Sequence, residues 1–214
     1  GSVAAAGRDE PDVDAAGEFA RIPASSPQAA VAAYQRARSL LRAGQTSTAR
    51  AALRRVTQTF RRDTNVVAPA LFLLADLATD DGRDPDARAG FSAVATRFPT
   101  SALAPAALFR AATISYVAGR FDVAARDFDR LVERYPRSAD ASAGRYWAGR
   151  AREAAGDRKR ATDRWREVMA TDPLSYYALA SAGRLGVAPW KPGQPTDSSK
   201  RFPALRQAAD RAEL

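Results

Sequence analysis

Four glycines recur at a nearly constant spacing, and this spacing constrains the fold more than any other feature of the chain. Gly44, Gly82, Gly119 and Gly156 are separated by 38, 37 and 37 residues. Each is followed at the same distances by an alanine, a bulky apolar residue and an aliphatic one. A unit of this size cannot bury an apolar face alone, so the copies must pack on one another. The sequence therefore predicts a repeat array.

The residues after each glycine form one stripe of an α-helix. The steps of four and then three residues keep an apolar stripe on one helical face. The stripe residues are Ala49, Leu53, Val56; Ala87, Phe91, Val94; Ala124, Phe128, Leu131; and Ala161, Trp165, Val168. A first helix precedes each glycine, with a small residue seven positions before it: Ala37, Ala75, Ala112 and Gly149.

The residues at the helix ends fit the same hairpin. Glycine tolerates the left-handed conformation that ends a helix. Asp84, Asp122 and Asp157 are predicted to cap the second helices. Proline closes the last three units, at Pro99, Pro136 and Pro173, because it cannot continue a helix. The first unit has Arg61-Arg62 instead and is the degenerate copy.

This pattern predicts an all-α fold, a right-handed superhelical solenoid of four hairpins followed by further helices. The predicted repeats span about 27–63, 64–101, 102–138 and 139–173, and a helix follows at 173–185. Residues 1–25 are small, acidic and aperiodic, which predicts a flexible arm. Ser26-Pro27 is predicted to start the first helix.

The C-terminal part has a different composition. Residues 187–200 are rich in Pro, Gly and Ser and are predicted to form a loop, in which Trp190 is a candidate interdomain contact. Residues 201–214 restart a helical pattern without a stop signal. We expect the chain to be a fragment of a longer protein, and Gly1-Ser2 suggests that a leader was removed.

Composition excludes several kinds of chemistry. The chain has no cysteine and no histidine, which excludes thiolate and histidine catalysis and their metal sites. No nucleophile–base pair or phosphate loop is present, so we predict no enzyme and no cofactor. The net charge of +9 is compatible with an anionic partner. Because arginines are spread through every repeat and most lie beside Asp or Glu, as on solvated helix faces, no nucleic-acid partner is expected. No apolar run approaches a membrane span.

The repeat positions resemble the tetratricopeptide repeat. Its signature places a small residue, then alanine, then a bulky residue and finally proline at fixed offsets. Units two to four match it with Ala75-Ala87-Phe91-Pro99, Ala112-Ala124-Phe128-Pro136 and Gly149-Ala161-Trp165-Pro173. The resemblance implies a solenoid whose first helices line a groove for protein or peptide partners.

Residues 146–186 resemble a narrower family, the superhelical region of soluble lytic murein transglycosylases. The matching motifs are Tyr146-Trp147-Ala148-Gly149-Arg150-Ala151, Asp172-Pro173-Leu174-Ser175-Tyr176-Tyr177 and Arg184-Leu185-Gly186. The resemblance implies a periplasmic or cell-envelope scaffold that positions a C-terminal domain cleaving peptidoglycan. The family's Glu-Ser-x-Phe and Gly-Leu-Met-Gln motifs are absent here, so no catalytic residue carries over. The alternative is a stand-alone periplasmic adaptor for protein or peptide partners in envelope assembly.

Four residues are candidates for the ligand groove: Arg38, Tyr116, Arg150 and Glu153. An arginine can bind a carboxylate with two parallel hydrogen bonds. The alternative is that each arginine pairs with a neighbouring acid, as Arg150 and Glu153 can at a spacing of three. Aromatic residues of the last repeat could stack on sugar rings, or they could belong to the core; these are Tyr146, Trp147, Tyr176 and Tyr177.

Overall fold

The computed structural model describes residues 6–188 and contains ten α-helices in this range. They are α1 (Ala6–Ala20), α2 (Ala29–Arg42), α3 (Thr46–Thr59), α4 (Thr64–Asp80), α5 (Asp84–Arg97), α6 (Ala104–Val117), α7 (Phe121–Arg134), α8 (Ala141–Ala154), α9 (Arg158–Thr171) and α10 (Tyr176–Leu185). No strand occurs in the described range. The predicted all-helical repeat fold is confirmed.

Each helix packs on the next one along the chain, and alternate helices lie on the same side of the array. The pairs α2–α3, α4–α5, α6–α7 and α8–α9 are the four hairpins. We call α2, α4, α6, α8 and α10 the A helices and α3, α5, α7 and α9 the B helices. Direct contacts between α2 and α4, and between α8 and α10, show that neighbouring A helices share one side. None of the helices in the described range has the length and apolar character needed to cross a membrane.

The four repeat glycines end the A helices. Their φ angles are 71°, 70°, 71° and 87°, in the left-handed region that disfavours residues with a Cβ. The residue after each glycine donates a backbone hydrogen bond to a carbonyl five residues earlier, as from Gln45 to Leu40 at 2.9 Å. This is the Schellman arrangement that satisfies the last carbonyls of a helix. The chain therefore reverses within the three residues that separate the two helices of each hairpin.

The predicted caps of the B helices need correction. Asp157 caps α9, since its carboxylate accepts a hydrogen bond from the Arg160 amide at 3.1 Å. Asp84 and Asp122 instead lie inside the first turns of α5 and α7. There their charge still favours the positive end of the helix dipole.

The residues assigned to the repeat core are buried. Ala49, Phe91, Phe128 and Trp165 expose 0, 1, 0 and 2% of their surface. Two bulky residues meet an aromatic ring of their own A helix edge to face, Phe91 with Phe72 at 5.1 Å and Phe128 with Phe109 at 5.4 Å between ring centroids. Each repeat proline lies two residues beyond the end of its B helix: Pro99, Pro136 and Pro173.

The two ends of the array differ from the sequence prediction. The predicted flexible arm contains α1, which packs on α2, buries Ala16 and pairs Asp12 with Arg42 at 2.7 Å. The first helix of the array begins at Ala29 rather than at Ser26-Pro27, which form part of the preceding turn. The helix predicted at 173–185 begins at Tyr176, with Ser175 as its cap. The predicted loop, Trp190 and the helix at 201–214 lie outside the described residues.

In the fourth repeat, the small and bulky positions change together. Gly149 stands where the other repeats have alanine, and Trp165 stands where they have Leu or Phe. A Cβ at Gly149 would overlap the indole of Trp165. The indole Nε1–H donates to the Tyr146 carbonyl at 3.2 Å, which fixes the ring in this position. The glycine is therefore required by the tryptophan.

We expect Gly149→Ala to destabilise the protein by about 1–3 kcal/mol, because it overpacks a dense core. Trp165→Phe alone should also destabilise it, since it leaves space and removes the indole hydrogen bond to the Tyr146 carbonyl. The double variant restores the Ala–Phe pair of the second and third repeats. The losses of unfolding free energy in the two single variants should therefore sum to about 1 kcal/mol or more above the loss in the double variant. Urea unfolding of the four proteins measures this coupling, and strictly additive losses would contradict the assigned contact.

Candidate binding surfaces

Three of the four candidate groove residues lie together on the A side. Tyr116 is on α6, and Arg150 and Glu153 are on α8. Arg38 is separate from them, on α2 in the first repeat. It is exposed, lies 5.9 Å from the centre of the Tyr34 ring and donates a 3.4 Å hydrogen bond to the Gln35 side chain.

Tyr116, Trp147, Arg150 and Glu153 form what we call the aromatic–arginine cluster. The Tyr116 and Trp147 rings meet edge to face at 5.3 Å. The Arg150 guanidinium lies 5.6 Å from the centre of the Trp147 ring, within range of a cation–π interaction. It also donates long hydrogen bonds to the phenol oxygens of Tyr146, at 3.4 Å, and Tyr116, at 3.5 Å. Aromatic groups from two helices thus fix the position of one cation.

Glu153 links this cluster to the last described helix. Its Oε2 forms an ion pair with Arg150 Nε at 3.8 Å. The same oxygen accepts a hydrogen bond from Arg184 on α10 at 3.2 Å. The predicted pairing of Arg150 with Glu153 is therefore present, but Arg184 is the closer partner. Sequence spacing did not reveal Arg184, because it lies 31 residues from Glu153.

Arg150 remains a cation in this setting. Burial by itself would lower the pKa of Arg150, but its hydrogen bond to Tyr146 and the negative charge of Glu153 raise the pKa above its ordinary value. About a quarter of the side chain, 26%, is exposed. The buried Nε has no hydrogen-bond partner among the described residues. The cluster can therefore present a fixed, partly exposed positive charge beside an aromatic ring.

The aromatic residues of the last repeat divide between core and surface. Tyr146 is 8% exposed and packs against Tyr177 with ring centroids 5.6 Å apart. Tyr176, in contrast, is 75% exposed. Further exposed apolar side chains lie on α10 and beside it: Leu174, Leu179 and Val187. We call these three residues and Tyr176 the α10 patch. The sequence indicates such a patch because the α10 segment has more apolar residues than one buried helix face needs.

Comparison with known proteins identifies the repeats. Residues 34–102 and 106–138 match two sequence profiles, both described as tetratricopeptide repeat. This part of the chain consists of tetratricopeptide repeats. Neither profile extends into residues 146–186, so the resemblance of that segment to lytic transglycosylases stays a hypothesis. A search of curated proteins gave no significant match.

Several solved structures share the fold of this chain at low sequence identity. BtubC (BKLC) from P. vanneervenii has 14% identity and a TM-score of 0.63, with 92% of this chain and 98% of that chain covered. MamA has 15% identity and a TM-score of 0.56, with coverage of 86% and 92%. A putative kinesin light chain from Podosopora anserina has 17% identity and a TM-score of 0.55, with coverage of 77% and 87%. These identities support the fold alone.

Ion pairs close the junctions between tetratricopeptide repeats on the side of the B helices. Arg88 on α5 donates to Ser115 at 2.7 Å and to Asp127 on α7 at 2.8 Å. Asp129 on α7 pairs with Arg152 on α8, and with Arg164 on α9 at 2.9 Å. Asp127 and Asp129 are 6% and 8% exposed, so both carboxylates need these partners.

Two other carboxylates are held by pairs of arginines. Glu167 on α9 accepts from Arg145 at 2.9 Å and from Arg164 at 2.6 Å. Burial alone would raise the pKa of Glu167, but these hydrogen bonds outweigh it and the pKa lies below its ordinary value. Asp81, at the turn after α4, accepts from Arg50 of the preceding B helix at 2.5 Å and from Arg83 at 2.9 Å. Those hydrogen bonds lower the pKa of Asp81 to about 2.

Acid should weaken the junction between the first two repeats. Because the folded-state pKa of Asp81 is depressed from 3.8 to about 2, its stabilising contribution is present above the unfolded-state pKa and is lost as the pH falls through about 2. We expect Asp81→Asn to lower the free energy of unfolding at pH 7 and to flatten its decline between about pH 4 and pH 2. Urea unfolding at several pH values measures both effects.

The matched control for this prediction is Asp80→Asn. Asp80 is the neighbouring exposed carboxylate and makes no ion pair with a described residue. The control should keep the slope of the unmodified protein between about pH 4 and pH 2. Equal slopes for all three proteins would contradict the role assigned to Asp81.

Proposed function

We propose that this chain is a non-catalytic interaction scaffold that binds an extended protein segment along its A side. The observation that supports the proposal most is the aromatic–arginine cluster. Arg150 is held in place before any ligand arrives, so little side-chain freedom is lost on binding. A carboxylate of a partner segment would pair with the guanidinium while an apolar group contacts Trp147.

The A side suits an extended ligand better than a small molecule. The candidate residues are spread over successive A helices, and tetratricopeptide arrays expose continuous surfaces of this kind. A second charged contact, Arg110 on α6 with Asp76 on α4 at 2.5 Å, lies on the same side one repeat earlier. A segment lying across α4, α6 and α8 would meet both, which fits a peptide and not a compact substrate.

Indole resonances can test this binding directly. The protein has three tryptophans, of which Trp165 is buried and serves as an internal reference. The probes are pooled short peptides with an aromatic residue beside a C-terminal carboxylate, and the same peptides with a C-terminal amide. We expect the carboxylate pool to shift the Trp147 indole resonance and the amide pool to shift it less.

Arg150→Gln should lower the affinity for the carboxylate peptides roughly tenfold or more, because hydrogen bonds to charged groups contribute about 1.5–3 kcal/mol. Arg97→Gln, on the exposed surface of α5, is the matched control and should leave the affinity unchanged. An equal loss in both variants, or no indole shift with either pool, would count against the A-side site.

We further infer that the parent protein is a lytic transglycosylase-like protein of the periplasm or cell envelope. In this proposal the chain positions a catalytic domain on peptidoglycan, and peptidoglycan is a further candidate partner. The motifs of residues 146–186 support this, and the α10 patch supplies an exposed apolar surface for a following domain. The test is the full-length reading frame: a following Glu-Ser-x-Phe domain supports the proposal, and its absence removes it.

The alternative is a stand-alone periplasmic adaptor for protein partners. One observation favours it, because the structurally similar chains are covered over 87–98% of their own length. Arrays of this size therefore occur as whole crystallised chains. Affinity capture from an envelope extract separates the cases when Arg150→Gln is used as the reference bait. A partner captured by the unmodified protein and lost with the variant would support the adaptor.

A further inference from the structure

An open groove lies at the N-terminal end of the array, between α2, α3 and the segment that follows α1. Its volume is about 780 Å³. Alanines of α2 and α3 line its floor together with Leu40 and Val56, and Phe19 and Phe60 contribute larger apolar surface. Arg36, Arg54 and Arg55 border it, whereas none of the described lining residues is acidic. We call it the first-repeat groove.

The repeat register compares the charge of this groove with that of the third repeat. Counted from the turn glycine, Ala52 and Arg54 of α3 occupy the positions of Asp127 and Asp129 in α7. Those two aspartates pair with arginines of neighbouring helices and close the later junctions. The first B helix has neither carboxylate. Helices α5 and α9 also lack them, so α7 is the B helix that carries this pair.

A second substitution reinforces the difference. By the same count, Arg55 of α3 stands where α9 has Glu167, and Ala33 of α2 stands where α8 has Arg145. In the fourth repeat these two positions form the Arg145–Glu167 pair at 2.9 Å. In the first repeat Arg55 is matched with Ala33 and makes no ion pair with a described residue. The pair is confined to the fourth repeat, because α5 has Ala93 and α7 has Arg130 at the position of Glu167.

We propose that the first-repeat groove binds an acidic segment of a partner protein. The partner's carboxylates would pair with Arg36, Arg54 and Arg55, taking the part that Asp127, Asp129 and Glu167 take within the chain. Its small apolar side chains would pack on the alanine floor. The site is on a different surface from the aromatic–arginine cluster, so it does not depend on the A-side proposal.

The chemistry of the floor favours a protein over a nucleic acid. Nucleic acid binding without sequence preference combines a cationic groove with aromatic rings on which bases stack. Here the lining is mainly aliphatic, with alanines, Ile22, Leu40 and Val56 beside two phenylalanines, so apolar contact predominates over base stacking. An acidic peptide with alanine and leucine side chains can use both the charge and the floor.

The test uses the full 214-residue chain and three probes at low ionic strength. The first is a fluorescein-labelled peptide of Glu, Ala and Leu, the second has Lys in place of Glu, and the third is single-stranded DNA. Fluorescence anisotropy should show binding of the acidic peptide, none of the basic peptide, and weakening with added salt. DNA that binds more tightly than the acidic peptide, through the same arginines, would overturn the assignment to a protein segment.

Two charge-matched double variants locate the site. The variant with Arg36→Glu and Arg55→Glu should bind the acidic peptide roughly tenfold or more weakly, because like charges then face its carboxylates. Arg126→Glu with Arg166→Glu changes the net charge equally at exposed positions of α7 and α9, and should weaken it less than about threefold. Equal weakening by both pairs would show attraction to the net charge alone and would overturn the site.

A third variant tests the register argument without removing an arginine. Ala52→Asp places a carboxylate in α3 where α7 has Asp127, and that group should pair internally and compete with the peptide. We expect weaker peptide binding while the thermal unfolding temperature is kept or raised. Undiminished peptide binding by a folded Ala52→Asp protein would contradict the proposal.

Discussion

The array depends on the match between a small residue in each A helix and a bulky residue in its B helix. The close packing of protein interiors leaves no room for both positions to be large. Ala112 and Phe128 lie in one buried cluster, and Gly149 lies against Trp165 in the next repeat. The match is local to one hairpin, yet it orients the B helix on which the following repeat packs. A change at either position therefore affects the path of the whole chain.

Sequence analysis could predict the hairpin packing because the residues that determine it are close together in the sequence. Periods of three and four residues, the turn glycines and the closing prolines act within one hairpin, so their meaning does not depend on distant residues. Helix α1 was missed because its segment carries few large apolar residues and no clear stripe; its packing on α2 depends on a small residue, Ala16, and on the Asp12–Arg42 pair. Contacts of that kind become visible only when two helices are placed together.

The candidate site shows the same limit. The proximity of Arg150 and Glu153 follows from their spacing within one helix. Tyr116, by contrast, reaches Arg150 from another repeat, and Arg184 reaches Glu153 from α10. Tyr116 and Glu153 both lie three residues before a turn glycine, but this register carried no information about α10. Which aromatic rings are buried also depended on α10, because Tyr146 is covered by Tyr177 of that helix.

The two sides of the array have different electrostatic organisation. On the A side, charged groups are fixed by aromatic rings and by single ion pairs between neighbouring A helices. On the B side, Asp127 and Asp129 of α7 pair with arginines, whereas the same register of α3 supplies Ala52 and Arg54. Repeats of one origin can therefore differ in function without a change of fold, because the stripe residues fix the packing and the B-helix surface positions are free to vary. A carboxylate missing from such a position leaves a charge that a partner can neutralise.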